Sequence, residues 1–281
     1  MKKIDGRKLR SEILETIKGE VGKLPFRPVF CDVLVGDDPA SFQYVKMKAQ
    51  TAESVGISFH SANFPKDITT EKLQEELKNI NKIKNMCGII IQLPLPPHID
   101  KRAVLDAIDP KLDVDCLGLV ASDEFYQGKE DRIKLGFPTA LACIKILDSL
   151  NLELNNKKIV VLGQGMLVGK PVSALLSFRG LETFAITSKT ENKEELIKSA
   201  DIIISGIGQG RFIKSDMVKD GVVLIDAGTS ESNGGIVGDV DLDTFENKEA
   251  TISPVPGGVG PVTVAMLLYN VLQVAKSDKW Q

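Results

Sequence analysis

Residues 157–171 constrain this chain more than any other segment. Lys157-Lys-Ile-Val-Val-Leu162 is a short apolar run, Gly163-Gln164-Gly165 follows at once, and Gly169-Lys-Pro171 opens a stretch with helical spacing. A strand that turns through glycines straight into a helix begins a parallel β-α-β unit, since parallel neighbours need a crossover and cannot share a tight hairpin. The same alternation continues. Strands are predicted at Thr183–Thr187, Ile202–Ser205 and Val222–Asp226, with helices over Gly169–Ser177 and Glu194–Ala200. The pattern is that of a doubly wound, Rossmann-type parallel sheet.

The N-terminal half alternates in the same way. Pro28–Val35 and Cys87–Gln92 are short apolar runs suited to buried strands. Ser41–Val55 and Glu71–Ile80 have helical spacing, the second with Thr69 or Thr70 as its cap. Ser122–Lys134 is polar and is predicted to be a loop near a domain boundary. Val262–Ala275 is an apolar helix long enough to pack back on the first domain. With 281 residues, two α/β domains are expected.

Several function classes are disfavoured. Lys+Arg is 35 against Asp+Glu 38, a net charge of −3, and nucleic-acid binders normally carry a basic excess. No apolar run reaches the roughly 20 residues of a membrane-spanning helix. The N-terminus is charged but lacks the apolar core of a signal peptide. Leu9, Ile13, Leu14, Ile17 and Val21 instead mark an amphipathic helix, and a cytoplasmic protein is expected. Cys31, Cys87, Cys116 and Cys143 form no C-x-x-C pair, and only His60 and His98 are present, so no metal site is expected.

The glycine turn suits a pyrophosphate, which glycine lets approach the backbone and which a helix N-terminus attracts. Its G-x-G-x-x-x-G spacing is one residue longer than the usual dinucleotide fingerprint. The next strand ends in Thr187-Ser188-Lys189-Thr190, hydroxyls and a cation rather than a carboxylate. These groups fit a 2′-phosphate, favouring NADP over NAD; an ordinary polar loop is the alternative.

Tyr44 and Lys48 are four apart and share one helix face. A lysine held in a semi-buried pocket can serve as a proton acceptor. Gln92 ends an apolar strand and precedes Leu93-Pro-Leu-Pro-Pro97, a stiff extended exit. Asp115 of Asp113-Val-Asp115 can accept two N–H bonds from a heterocycle, though either aspartate can also cap a turn. Pro254-Val-Pro256-Gly257-Gly258-Val259-Gly260-Pro261 holds three prolines and three glycines in eight residues, a rigid loop read as ligand-facing.

Taken in order, these segments resemble the bifunctional methylenetetrahydrofolate dehydrogenase/methenyltetrahydrofolate cyclohydrolase family. The resemblance rests on Val35-Gly-Asp-Asp-Pro-Ala-Ser41, Tyr44-x-x-x-Lys48, Gly88-Ile-Ile-Ile-Gln92-Leu-Pro-Leu-Pro96, Asp113-Val-Asp115, Val168-Gly-Lys-Pro171, Ser188-Lys-Thr190, Asp226-Ala-Gly228, Gly238-Asp-Val240 and the Pro254–Pro261 loop. It implies a homodimer of two-domain α/β subunits acting on tetrahydrofolate one-carbon derivatives in a cleft between the domains. Residues 1–137 with helix 263–281 would form the folate-binding catalytic domain, and 138–262 the Rossmann NAD(P)-binding domain.

By the same resemblance Lys48 is the catalytic lysine, Tyr44 packs on the substrate's aminobenzoate ring, Gln92 tunes Lys48 and Asp115 anchors the pterin. Leu93, Pro256, Gly257, Gly258 and Val259 line the substrate site. Gly163, Gln164, Gly165, Val168, Gly169, Ser188, Lys189, Thr190 and Thr229 meet the cofactor. The expected activity is NADP-dependent oxidation of methylenetetrahydrofolate, then hydrolysis to 10-formyltetrahydrofolate with Lys48 shuttling a proton. A dehydrogenase alone, or a non-catalytic folate or nucleotide binder, are the alternatives. The chain departs from the family pattern at Gln164, where an arginine is common, and at Thr187, where histidine is common. The first departure leaves NAD open as cofactor.

Overall fold

In the computed structural model, residues 1–130, 134–232 and 234–277 are described. The chain divides into two compact units, one of Met1–Ser11 and Thr139–Met266, the other of Glu12–Pro138 and Leu267–Gln281. The four last residues of the expected helix 263–281, and residues 131–133 of the expected loop, lie outside the described residues.

The first unit holds a six-stranded sheet. Its order is β1 (Lys2–Lys3), β11 (Ala250–Ser253), β8 (Val222–Asp226), β7 (Ile202–Ser205), β5 (Ile159–Leu162) and β6 (Thr183–Ile186), every ladder parallel. Buried Val160, Leu162, Ile203, Leu224, Ile252 and Phe245 share one core. A short antiparallel hairpin pairs β9 (Ser230–Ser232) with β10 (Gly235–Val237).

The second unit places β2 (Val29–Val35) between β3 (Ser58–Phe64) and β4 (Met86–Ile91), again all parallel. The polar sequence of β3, Ser-Phe-His-Ser-Ala-Asn-Phe, escapes hydropathy reading because it is an edge strand with much of its surface in water. β1 and β11 escape it because they are two and four residues long.

The helices are α1 (Gly6–Val21), α2 (Pro39–Ser54), α3 (Thr70–Ile80), α4 (Lys101–Leu105), α5 (Leu119–Tyr126), α6 (Pro138–Ser149), α7 (Gly169–Phe178), α8 (Lys193–Ser199) and α9 (Val259–Ala275). α2 starts two residues before the predicted Ser41. The Asp38 carboxylate accepts the Ser41 N–H at 2.8 Å, and Pro39 fits the first turn, where its missing N–H is no loss. Thr69 caps α3 by accepting from the Lys72 N–H.

Two expectations need correction. Residues 122–126 are not loop but the end of α5. Phe125 is fully buried there, its ring edge-on to Phe137 at 5.2 Å, and this anchor outweighs the polar composition around it. Residues 1–11 do not join the unit that follows them in sequence. Lys2 and Lys3 pair with Thr251 and Ile252, and the Gly6 N–H bonds the Gly257 carbonyl at 3.0 Å, so the N-terminus completes the six-stranded sheet.

The end of α9 packs into the second unit. Buried Asn270 donates from Nδ2 to the carbonyls of Val114 (2.9 Å) and Gly136 (2.8 Å). Val271 fills the space beside Gly88 on β4, where an added Cβ would sit 2.8 Å from Val271 Cγ2 and 3.0 Å from the Val114 methyls. Gly88→Ala should therefore destabilise the protein by about 1–3 kcal/mol through overpacking. Adding Val271→Ala should recover part of that loss, as measured by urea unfolding of the single and double variants.

Candidate functional site

Parallel ladders bring the carboxyl ends of neighbouring strands to one side, where loops can converge on a ligand. In the second unit this end gathers four side chains. β2 runs into α2, which carries Tyr44 and Lys48. β4 runs into Gln92, whose N–H bonds the Val33 carbonyl at 2.8 Å. The segment holding Asp113 and Asp115 lies beside β4, joined by the Ile89 N–H to the Leu112 carbonyl at 2.8 Å.

Lys48 is more deeply buried than the semi-buried pocket expected for it, with 2% of its surface exposed. Its ammonium donates to Gln92 Oε1 at 2.8 Å, and Gln92 Nε2 donates to the Leu93 carbonyl at 2.8 Å. The amide is thus held at both ends and presents only its oxygen to the lysine. Lys48 Nζ also stands 5.1 Å from the centre of the Tyr44 ring, a cation–π distance. Tyr44 itself is 42% exposed, which leaves its ring available for stacking.

The structure adds a residue that the sequence reading passed over. Asp32 lies mid-strand in β2, fully buried, and its Oδ2 is 2.6 Å from Lys48 Nζ. Burial pushes its carboxyl above the ordinary carboxylate range, and the Lys48 charge pulls it back. A signal was present, since Asp32 is the one charged residue in the apolar run 28–35.

Asp113 and Asp115 part company. Asp113 is buried and accepts the Gly118 N–H at 2.7 Å, a turn-capping use. Asp115 accepts no hydrogen bond among the described residues. Its carboxyl is pushed up to about 7, chiefly by burial, with Lys48 opposing and Asp113 and Asp32 reinforcing the rise.

In the first unit the glycine turn follows β5. Gly163 has φ +86°, in the left-handed region that favours glycine. A Cβ on Gly169 would lie 1.9 Å from the Gly163 carbonyl oxygen, so the turn closes only on glycine, whereas Gly165 faces open space. No side chain caps the N-terminus of α7 at Val168. This glycine cradle, with an uncapped helix end, fits a pyrophosphate. Gln164 turns inward, its Nε2 donating to the Gly163 carbonyl at 2.9 Å and Ser173 Oγ at 3.3 Å, and so braces the turn. After β6, the Thr187 N–H bonds Thr190 Oγ1 at 2.9 Å, closing a turn that leaves Ser188 and Lys189 exposed. Thr229 is exposed in the loop after β8.

Two aspartates beyond the expected set shape this end of the sheet. Asp239 accepts from Ser205 Oγ (2.6 Å) and from the N–H groups of Ile207 and Gln209 (each 2.9 Å), pinning the loop after β7. Asp226 accepts the N–H groups of Gly228, Asp239 and Val240. These contacts account for the Asp226-Ala-Gly228 and Gly238-Asp-Val240 motifs as scaffolding. In the Pro254–Pro261 loop, Pro256 is exposed and Gly257 (φ +106°) half-exposed, while Gly258 and Val259 are buried. A Cβ on Gly258 would meet the Pro254 carbonyl at 2.6 Å, so that glycine serves packing.

All four cysteines are buried and outside any disulfide, with the Cys143 thiol pushed up to about 12 chiefly by burial. Among the described residues, no group of three His, Cys, Asp or Glu side chains could hold a metal ion, and no helix is long and apolar enough to cross a membrane.

Comparison with known proteins covers the whole chain. Residues 4–115 match the tetrahydrofolate dehydrogenase/cyclohydrolase catalytic domain, and residues 138–279 the tetrahydrofolate dehydrogenase/cyclohydrolase NAD(P)-binding domain. The chain is 39% identical to the bifunctional protein FolD of Lactobacillus gasseri over 99% of both chains. The crystal structure of the bifunctional enzyme FolD from Campylobacter jejuni superposes with a TM-score of 0.90 at 36% identity, covering 97% of each chain. The Trypanosoma brucei methylenetetrahydrofolate dehydrogenase-cyclohydrolase, solved with NADP and an inhibitor, gives 0.89 at 34% identity, covering 98% of this chain and 97% of that one.

The raised Asp115 carboxyl has a consequence for stability. The folded protein holds this proton more tightly than the unfolded chain, whose carboxyl sits near 3.8, so the group's stabilising contribution is full below about pH 4. It is lost as pH rises to about 7. Asp115→Asn should therefore be more stable than the wild type at pH 8, by about 2–4 kcal/mol, with the gap closing towards pH 4. Thermal melts of both proteins across that range check the sign.

Proposed function

The chain belongs to the tetrahydrofolate dehydrogenase/cyclohydrolase family, and we propose the following division of labour among its residues for the two reactions it carries out. It oxidises methylenetetrahydrofolate to methenyltetrahydrofolate with NADP, and hydrolyses that product to 10-formyltetrahydrofolate. The observation that carries the residue assignment is the buried Lys48, clamped by Gln92 beside the exposed ring of Tyr44.

Tyr44 stacks on the aminobenzoate ring and Asp115 accepts N–H groups of the pterin. Both fix the one-carbon bridge near Lys48 Nζ, and such positioning is the main requirement of a step that needs alignment more than a strong base. When bound, NADP accepts a hydride from that bridge. The glycine turn at Gly163, Gly165, Val168 and Gly169 receives its pyrophosphate, with Gln164 bracing the turn. Ser188, Lys189 and Thr190 face the 2′-phosphate, and Thr229 adds a hydroxyl. The exposed Lys189 supplies the charge that favours NADP over NAD.

For hydrolysis, water attacks the cationic methenyl carbon and gives one proton to Lys48 as the carbon–oxygen bond forms. The carbinolamine then opens. The bond from carbon to N5 breaks, its electron pair stays on nitrogen, and Lys48 returns a proton there. The hydroxyl becomes the formyl carbonyl as it sheds its own proton, so one proton is released overall. Gln92 keeps Lys48 aimed through both transfers. Leu93 and the Pro256–Val259 loop are assigned to the substrate site, Gly258 and Val259 through backbone shape.

We further propose a homodimer in the cytoplasm, the first on family resemblance and the second consistent with four buried, reduced thiols.

The purified protein should reduce NADP with methylenetetrahydrofolate and yield formyl product in the same run. Methenyl product decaying only at the uncatalysed rate would select a dehydrogenase alone, and folate binding without turnover a non-catalytic binder. Lys48→Met should abolish hydrolysis, reducing it at least 100-fold, while NADP binding measured by fluorescence stays intact. Asp115→Asn should raise KM for the folate about tenfold or more while kcat falls less.

A further inference from the structure

The general role of Lys48 leaves Asp32 unexplained. A carboxylate in the middle of a buried central strand is expensive to keep, and nothing in the sheet requires it. Its strand partners are Ser61 on β3 and Ile90 on β4. Neither of its carboxylate oxygens has a hydrogen-bond partner of good geometry, and Oδ2 meets Lys48 Nζ at 2.6 Å as an ion pair. Both side chains are shut away from water, at 0% and 3% exposure. The pair is therefore neither a solvent-screened surface bridge nor a fully satisfied structural network.

We infer that Asp32 is a positioning residue for the cyclohydrolase step, holding Lys48 in place and cancelling its charge in the dry pocket where a cationic substrate carbon must approach. The inference rests on the assignment of Lys48 given above and deepens it. Gln92 also fixes the lysine, but an amide is neutral and supplies position only. Asp32 supplies the opposite charge. With Asp32 ionised, the site is neutral when Lys48 is protonated and anionic when it is the free amine that takes water's proton, so a methenyl cation never meets a bare ammonium. One ammonium hydrogen is given to Gln92 and the ammonium is flanked by the Asp32 carboxylate, which narrows the directions left for exchange with water or substrate.

Asp32 must then also govern the pH at which hydrolysis switches on. A carboxylate in contact favours the protonated amine, and its removal leaves a lone ammonium in a dry site, where burial favours the neutral amine. The titratable and charged groups facing the pair are Tyr44 on α2 and Asp113 and Asp115 beside β4, with Cys31 next to Asp32 on its own strand. Asp115 titrates in the same region, so the profile is read as kcat at saturating methenyltetrahydrofolate, where Asp115 is engaged by the pterin.

The test is hydrolysis of methenyltetrahydrofolate from pH 5.5 to 9, corrected for the uncatalysed rate, in the wild type, Asp32→Asn, Asp32→Val and Lys48→Met. Asparagine is nearly isosteric, and valine is apolar and strand-favouring, so a folding failure of one leaves the other. Each variant is checked by circular dichroism and NADP binding. The rising limb of kcat should move to lower pH by one unit or more in either folded Asp32 variant. A limb that superposes on the wild type overturns the inference. Hydrolysis retained in Lys48→Met overturns the lysine assignment instead, and a wild type without hydrolysis overturns the cyclohydrolase reading along with it.

Discussion

Parallel pairing in the six- and three-stranded sheets governs almost everything else in this protein. Parallel neighbours cannot be joined by a two-residue turn, so the chain must travel back along the sheet, usually as a helix. That single restriction buries both faces of the strands and makes them continuously apolar, as in Cys87–Ile91 and Ile202–Ile204. It also places every strand's carboxyl end at the same edge of its sheet. The glycine turn after β5, the Ser188–Thr190 turn after β6, the Asp239-pinned loop after β7 and Thr229 after β8 are neighbours for that reason alone. So are Lys48 and Gln92, which are 44 residues apart.

The buried lysine shows what such an edge can do. An ammonium drawn out of water is tolerable only if its charge and its hydrogens are met at close range. Here a neutral amide and an anion divide that task. The amide is itself anchored to the Leu93 carbonyl, so the lysine cannot swing without breaking two bonds in series. Holding the group this firmly exchanges stability for a defined geometry, which is the usual bargain at a reactive centre.

Legibility from sequence followed the length and polarity of each element. Strands β5, β7 and β8 could be read because each is an unbroken apolar run bounded by turn residues. α2 and α3 could be read from helical spacing, although the true start of α2 lay in the Asp38–Pro39 cap. The strands β1, β3 and β11 could not, being too short or too polar for a hydropathy signal. α5 was hidden because one buried ring, Phe125, outweighs seven neighbours of mixed polarity. The residues assigned to chemistry were legible through their motifs. Asp32 showed only as a lone charge in an apolar run, with nothing to name its role, because no motif contains it and its partner lies 16 residues along the chain. Only the folded sheet shows that the two meet.

The pairing of Lys2 with Thr251 and Lys3 with Ile252 bears on how the protein is made. Lys2 and Lys3 have no strand to join until β11, nearly 250 residues later in the chain, has been made. Synthesis therefore delivers all of residues 12–138 before any other strand of the six-stranded sheet exists, and β1 stays unpaired meanwhile. The order of translation and the order of assembly run opposite ways at this edge. A nascent chain stalled anywhere before residue 250 carries β1 unpaired, and only the emergence of β11 ties it down.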